Sequence, residues 1–342
     1  MIFYNNVSIL SIGANDMAEV ALVEAVNMAL ARAMADDENV VVLGEDVGAN
    51  GGVFRATVGL QERFGKERVI DTPLAEPLIA GMSVGMSAEG IRPVFEMQFM
   101  GFIYSAIDQM ISHASRMRNR TRGRLTCPLV LRAPYGGGIH APEHHSESTE
   151  ALFAHMPGLR VVIPSSPARA YGLLLAAIQD PDPVVFLEPK RIYRLIKQDV
   201  EDNAEVLPLD TCFTLREGKD ITLVTWGACV HETMQAADEL DKKGISAEVI
   251  DVATIKPLDM QTILESVEKT GRCVIIHEAA RTCGVGAEIA AQLAEKGLMF
   301  LLAPVQRVTG YDTIMPLYRN ELSYMIDSTR IIETVQQTME FA

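Results

Sequence analysis

A lone carboxylate and a crowd of imidazoles are the groups in this chain of 342 residues best placed to move protons. The carboxylate is Glu76, within RVIDTPLAEPLIAGMSVGMSAEG at 68–90. The apolar pair Val69-Ile70 reads as a buried strand. Asp71-Thr72-Pro73 breaks it, with Pro73 holding Thr72 extended, and Pro77 fits the first turn of a helix. Glu76 thus stands at a strand-to-helix turn. Gly81 and Gly85, with Ala80, Ser83 and Ser87, leave that helix almost bare. Each glycine costs about 1 kcal/mol relative to alanine, a cost consistent with another backbone packing closely. Two readings of Glu76 stay open: a carboxylate placed beside a close-packed interface, or an exposed acid favoured by the helix dipole.

The imidazoles lie at 135–150, YGGGIHAPEHHSESTE. Three successive glycines allow a mobile or close-approach loop, followed by His140, His144 and His145 among Glu143, Glu147 and Glu150. A metal site is disfavoured: HExxH is absent, and adjacent His144 and His145 do not readily face one ion. General acid–base work by one histidine and a solvated polar loop both remain. Ser146 lacks a G-x-S-x-G elbow, and Gly48 to Gly52 and Gly284-x-Gly286 are incomplete as phosphate loops. His277-Glu278 ends a strand, as a ligand site or a buried polar pair. Phe99 and Phe102, an i, i+3 pair, and Trp226 read as core.

The elements that must position these groups come from an alternation of short apolar runs with helical patterns. Strands are expected at 40–43, 94–97, 128–132, 161–164 and 183–187, and helices at 18–34, capped by Asp16, and 102–116. This means an α/β fold with a mostly parallel sheet covered by helices on both faces. A polar stretch at 189–215 reads as a linker. It separates a domain at 17–188 from a smaller α/β domain at 216–342, and 1–16 reads as a poorly ordered leader. The net charge of −15 argues against nucleic acid as a partner. Five arginines at 116–124 read as a solvated loop. Five scattered cysteines fit reduced thiols in the cytoplasm, and no apolar run is long enough for a membrane span.

The succession VLGEDV, RVIDTPLAEPLIAG, FEMQFMGFIYSAIDQ, YGGGIHAPEHHSES, PGLRVVIPSSP and DPDPVVFLEPKRIYR resembles the beta subunit of the decarboxylating component of 2-oxo acid dehydrogenases. The likeness continues through DITLVTWG, EVIDVATIKPLD, SVEKTGR and APVQRVTGYDT. It implies a pyrimidine-binding α/β domain followed by a transketolase C-terminal-like domain. Thiamine diphosphate would lie between an alpha and a beta subunit of an α2β2 heterotetramer. Glu76 would hydrogen-bond the aminopyrimidine and promote ionisation of the cofactor, Phe102 would stack on the ring, and His145 would be the proton donor and orienter. His144 stands where the family commonly has glutamine or tyrosine.

The resemblance also implies a potassium ion held mainly through the main chain of Leu129, Ala177, Ile178, Asp180 and Asp182, the last often asparagine in relatives. Another departure is Thr313-Ile314-Met315-Pro316, where relatives carry Pro and Phe after the threonine. The partners implied are the alpha subunit, a lipoyl-bearing acyltransferase core and a 2-oxo acid. FLEPKRIYR and GYDT look closest to branched-chain enzymes, with pyruvate or acetoin dehydrogenase the alternative and a non-catalytic transketolase-like scaffold a remote one. No Gly-Asp-Gly occurs in these residues, so magnesium would be held by the alpha subunit.

Overall fold

The computed structural model describes residues 17–341. Its first sheet has seven strands, in the order Thr254–Lys256, Arg160–Val162, Val184–Pro189, Val130–Tyr135, Arg92–Glu96, Val40–Gly44 and Val69–Asp71. Neighbours are parallel except Thr254–Lys256, which runs antiparallel to Arg160–Val162. Successive strand residues point to opposite faces. Val42, Val94, Val130 and Val184 therefore pack with the helices Leu22–Asp36 and Pro167–Gln179. Leu43, Phe95, Leu131 and Val185 pack on the other face with Ile79 and Ala80 of the helix Glu76–Ala88. Burial on both faces is why these strands read as unbroken apolar runs.

The second sheet has five strands, Gln306–Gly310, Cys273–Ala280, Ile221–Thr225, Ala247–Asp251 and Phe213–Arg216, parallel save the last. Val224, Trp226, Ile250 and Ile275 share one buried cluster with Leu43 and Phe95. The two sheets thus meet over a common apolar core. The expected linker, 189–215, includes the strand Lys197–Glu201, which pairs antiparallel with Met17–Ala21. Thr254–Lys256 returns from the second half to edge the first sheet.

Two elements differ from expectation. The first helix begins at Leu22, because residues 17–21 are taken by strand pairing; the Glu24 carboxylate accepts the Ala21 N–H at 2.7 Å. Asp16 and the expected leader, 1–16, lie outside the described residues. The expected helix at 102–116 is broken into a 3₁₀ turn at Met100–Ser105, a π turn at Gln109–His113 and another 3₁₀ turn at Ala114–Arg116. Such breaks are common at functional sites. No helix among the described residues is long and apolar enough to cross a membrane.

Candidate active site

Parallel strands end together, and their carboxyl ends form the crevice where α/β folds place ligands. Val40–Gly44 and Val69–Asp71 are paired neighbours, and the Thr72 N–H donates to the Gly44 carbonyl at 3.0 Å. The chain leaving the first strand delivers Glu45; the chain leaving the second delivers Glu76, half-buried at the helix start. Glu45 is only 9% exposed, and its Oε1 has no hydrogen-bond partner among the described residues. Burial, followed by the charges of Glu76 and Asp46, raises the Glu45 carboxyl above its ordinary range. Two carboxylates therefore face one crevice. Glu45 sits in the VLGEDV motif, but the sequence gives no sign of its role, because Glu76 is 31 positions away.

The broken helix supplies an aromatic wall. Phe99 and Phe102 lie edge-on to the His145 ring, with centroids 4.4 and 5.2 Å away, and Phe54 meets Phe99 at 5.4 Å. Phe102 also approaches His144 at 5.5 Å. Phe99 and Phe102, whose spacing reads as core, are half-buried and line this wall instead, Phe102 being also the ring that the resemblance puts against the cofactor. Gly101 makes the approach possible, since a side chain there would run into the main-chain carbonyl of His144. His145 is half-buried, and its Nδ1 is enclosed with no partner among the described residues. Burial first, then the charges of His144 and Lys190, lowers its pKa, with Glu143 opposing. The imidazole is held toward its neutral, proton-accepting form. Lys190, buried and without a partner for its Nζ, is itself pushed down to about 8 by desolvation, against the pull of Glu278 and Glu321.

The helix face bearing Gly81 and Gly85 is open within this chain. Gln109 is the nearest group to a Cβ at Gly81, at 3.6 Å, and nothing lies within 4 Å at Gly85. Leu74 and Leu78 beside it are exposed.

The residues assigned to potassium gather at 177–182 and Leu129, and four of the five already have partners. Arg92 donates to the carbonyls of Ile178 at 2.9 Å and Asp180 at 3.4 Å, and the Leu129 carbonyl accepts from Val184. Asp180 pairs with Arg160 and Asp182 with Arg118, both at 2.8 Å. Guanidinium groups thus hold the Ile178 and Asp180 carbonyls and both aspartate side chains in this arrangement.

Residues 18–196 match the transketolase pyrimidine binding domain and 211–331 the transketolase C-terminal domain. The chain is 47% identical over 325 residues to the pyruvate dehydrogenase E1 component subunit beta of Bacillus subtilis, covering 95% of this chain and 100% of that one. The subunits of the same name from Staphylococcus epidermidis and Staphylococcus aureus are 46% identical over the same shares. The chain belongs to the E1 beta subunits of the 2-oxo acid dehydrogenases. A solved split-gene transketolase, an inactive β4 tetramer, superposes with a TM-score of 0.78 at 23% identity, over 95% of this chain and 99% of that one. That likeness confirms the fold of this E1 beta subunit. These relatives carry the pyruvate name, whereas FLEPKRIYR and GYDT point to the branched-chain type; the sequence expectation is corrected to the broader class.

Proposed function

We propose that this E1 beta subunit forms the pyrimidine half of a thiamine diphosphate site that decarboxylates a 2-oxo acid, pyruvate first. The observation that carries the reading is Glu76 at the helix start, its charge acting on a buried Glu45 whose Oε1 has no hydrogen-bond partner among the described residues. An orphaned buried carboxylate beside a second one is costly unless a ligand with donors completes it, and an aminopyrimidine offers donors and a stackable face. Thiamine diphosphate, when bound, supplies the carbon nucleophile for decarboxylation. Glu76 would hold the ring nitrogen and keep a proton shared with it. Phe102 would orient the ring, and neutral His145 would hold or deliver a proton at the substrate side. The bare Gly81 and Gly85 face fits an alpha subunit that brings the magnesium and diphosphate ligands, and a lipoyl arm of an acyltransferase core is the acyl acceptor. No step is assigned to potassium.

A branched-chain substrate is the second reading, favoured by FLEPKRIYR, whose Lys190 stands close to His145. A substrate panel on the co-expressed subunit pair decides: pyruvate, 3-methyl-2-oxobutanoate and 4-methyl-2-oxopentanoate are compared by kcat/KM. Turnover of none of them by a folded pair would overturn the function. Calorimetry on the beta chain alone with magnesium and cofactor tests the sharing; tight stoichiometric binding there would refute it.

A further inference from the structure

The turn that leads to His145 is held from the other half of the molecule. Gly137 donates its N–H to Glu278 at 2.5 Å, and Gly138 and His140 donate theirs to Glu321 at 2.8 and 2.9 Å. The His140 Nδ1 also meets Glu321 at 2.5 Å. Glu278 accepts again from the Ser148 hydroxyl at 3.3 Å, so this one carboxylate grips the loop on both sides of His145. Both acids are buried, one on the strand Cys273–Ala280 and the other opening the short helix Glu321–Tyr324. Met315 closes over Gly137, and Arg191, paired with Glu232, lies against Gly138. Gly138 has φ +83°, a conformation that favours glycine. A run of three glycines has the largest freedom to lose on ordering, so its place depends on what the N–H groups find.

We propose that Glu278 and Glu321 are positioning residues: together they fix the 136–148 loop, and thereby His145, against the aromatic wall. The proposal deepens the reading of His145 as the acid–base group and rests on it. Charge-assisted acceptors from a rigid strand and helix start hold the N–H groups, and a loop otherwise free to wander is set by the docking of the second sheet on the first. The charged groups around His145 are His144 and Glu143 on its own turn and Lys190 from 190–192. Those around Lys190 are Glu278 and Glu321. Neither glutamate contacts a reacting atom in this account; each acts through the loop.

The test uses the full chain co-assembled with its alpha subunit. In Glu321→Leu, amide exchange across 136–148 is expected to speed about tenfold while the strand Val130–Tyr135 keeps its protection. The same variant should lose about tenfold in kcat with KM little changed, the mark of misplacement rather than lost binding. Lys190→Met should move the acid limb of the kcat profile to higher pH, because a positive charge beside His145 is gone; a merely structural lysine would leave it in place. Wild-type exchange and kcat in Glu321→Leu would overturn the proposal. If that variant also loosens the strand, Glu321→Gln decides. It keeps one acceptor oxygen, so intermediate loop protection over an intact strand supports the clamp and wild-type protection refutes it. Unimpaired turnover in His145→Ala sinks the acid–base reading separately, while loop exchange still reports on the clamp.

Discussion

Two buried polar centres lie at the heart of this subunit and solve burial in opposite ways. At the centre of the first sheet Arg132 is enclosed, with its guanidinium 2.6 and 2.9 Å from the two Glu188 oxygens and 3.0 Å from Glu96. The Tyr193 hydroxyl donates to Glu188 at 2.6 Å. Both carboxylates there are held by the one guanidinium. In the crevice and at the domain junction, Glu45 Oε1, His145 Nδ1 and Lys190 Nζ lack hydrogen-bond partners among the described residues. The contrast separates polar burial that holds a fold from polar burial kept ready for a ligand or a proton. A fully paired centre leaves nothing to offer a substrate.

The largest expected effect breaks the paired centre. Arg132→Met leaves Glu96 and Glu188 facing each other without a counter-charge, and removing one partner of a buried pair costs about 3–5 kcal/mol. Chemical denaturation should show that loss, partly recovered at acid pH as the Glu96 carboxyl, already raised by burial, takes up a proton. An unchanged midpoint would place Arg132 with the dispensable groups.

The crevice should respond the other way. Glu76→Gln should leave the denaturation midpoint within about 0.5 kcal/mol, since Glu76 is only half-buried. It should cut turnover by about a hundredfold or more, the scale of lost general acid–base help. Exchange of the acidic C–H proton of bound cofactor reads that step directly. Wild-type exchange in the variant removes Glu76 from the mechanism.

These contrasts mark what the sequence made legible. Unbroken apolar runs such as Val130–Leu131 and Val184–Leu187 announce strands because burial on both faces removes alternation, so the parallel sheets could be read in advance. Glu76 was visible because Pro73 and Pro77 frame it. The spacing of Phe99 and Phe102 misled, since i, i+3 means core only if the helix continues and here it breaks; the family resemblance, not the spacing, singled out Phe102. Arg132 and its partners were invisible: Glu96 and Glu188 are 36 and 56 positions away, and only strand order makes them neighbours. Glu321 and Gly138, 183 positions apart, likewise meet through tertiary contact alone.

The junction can be split by pH. Burial raises Glu150 from 4.5 to about 7, so its contribution to stability is full below 4.5 and lost as pH climbs through 7. Burial, with Arg307 adding to it, lowers His277 from 6.5 to about 3, so its contribution is full above 6.5 and lost as pH falls. Between these limits the two slopes oppose. Glu150→Gln removes one of them, and the stability difference between wild type and variant should then change by up to about 1.4 kcal/mol per pH unit between roughly pH 4.5 and 7. A difference that stays flat would mean that Glu150 finds a partner in solution.

Glu45 gives the smallest and most discriminating effect. Its carboxyl is raised by burial and then by Glu76, so the fold desolvates it and crowds it beside another acid. Glu45→Gln removes that charge at nearly constant volume. If Glu45 belongs with the crevice, the variant should be more stable by about 0.5–2 kcal/mol, the usual gain when a strained functional group is neutralised. The gain should shrink as pH falls, because a carboxyl raised above its ordinary range takes up a proton more readily in the fold than in the unfolded chain. Turnover should fall in the same variant if, as proposed, Glu76 shares a proton with the cofactor, because the Glu45 charge acts on Glu76. A loss of stability would instead move Glu45 into the class of Arg132, a charge whose partners hold the fold. A gain in stability with turnover intact would leave it in neither class, and the crevice would then depend on Glu76 alone.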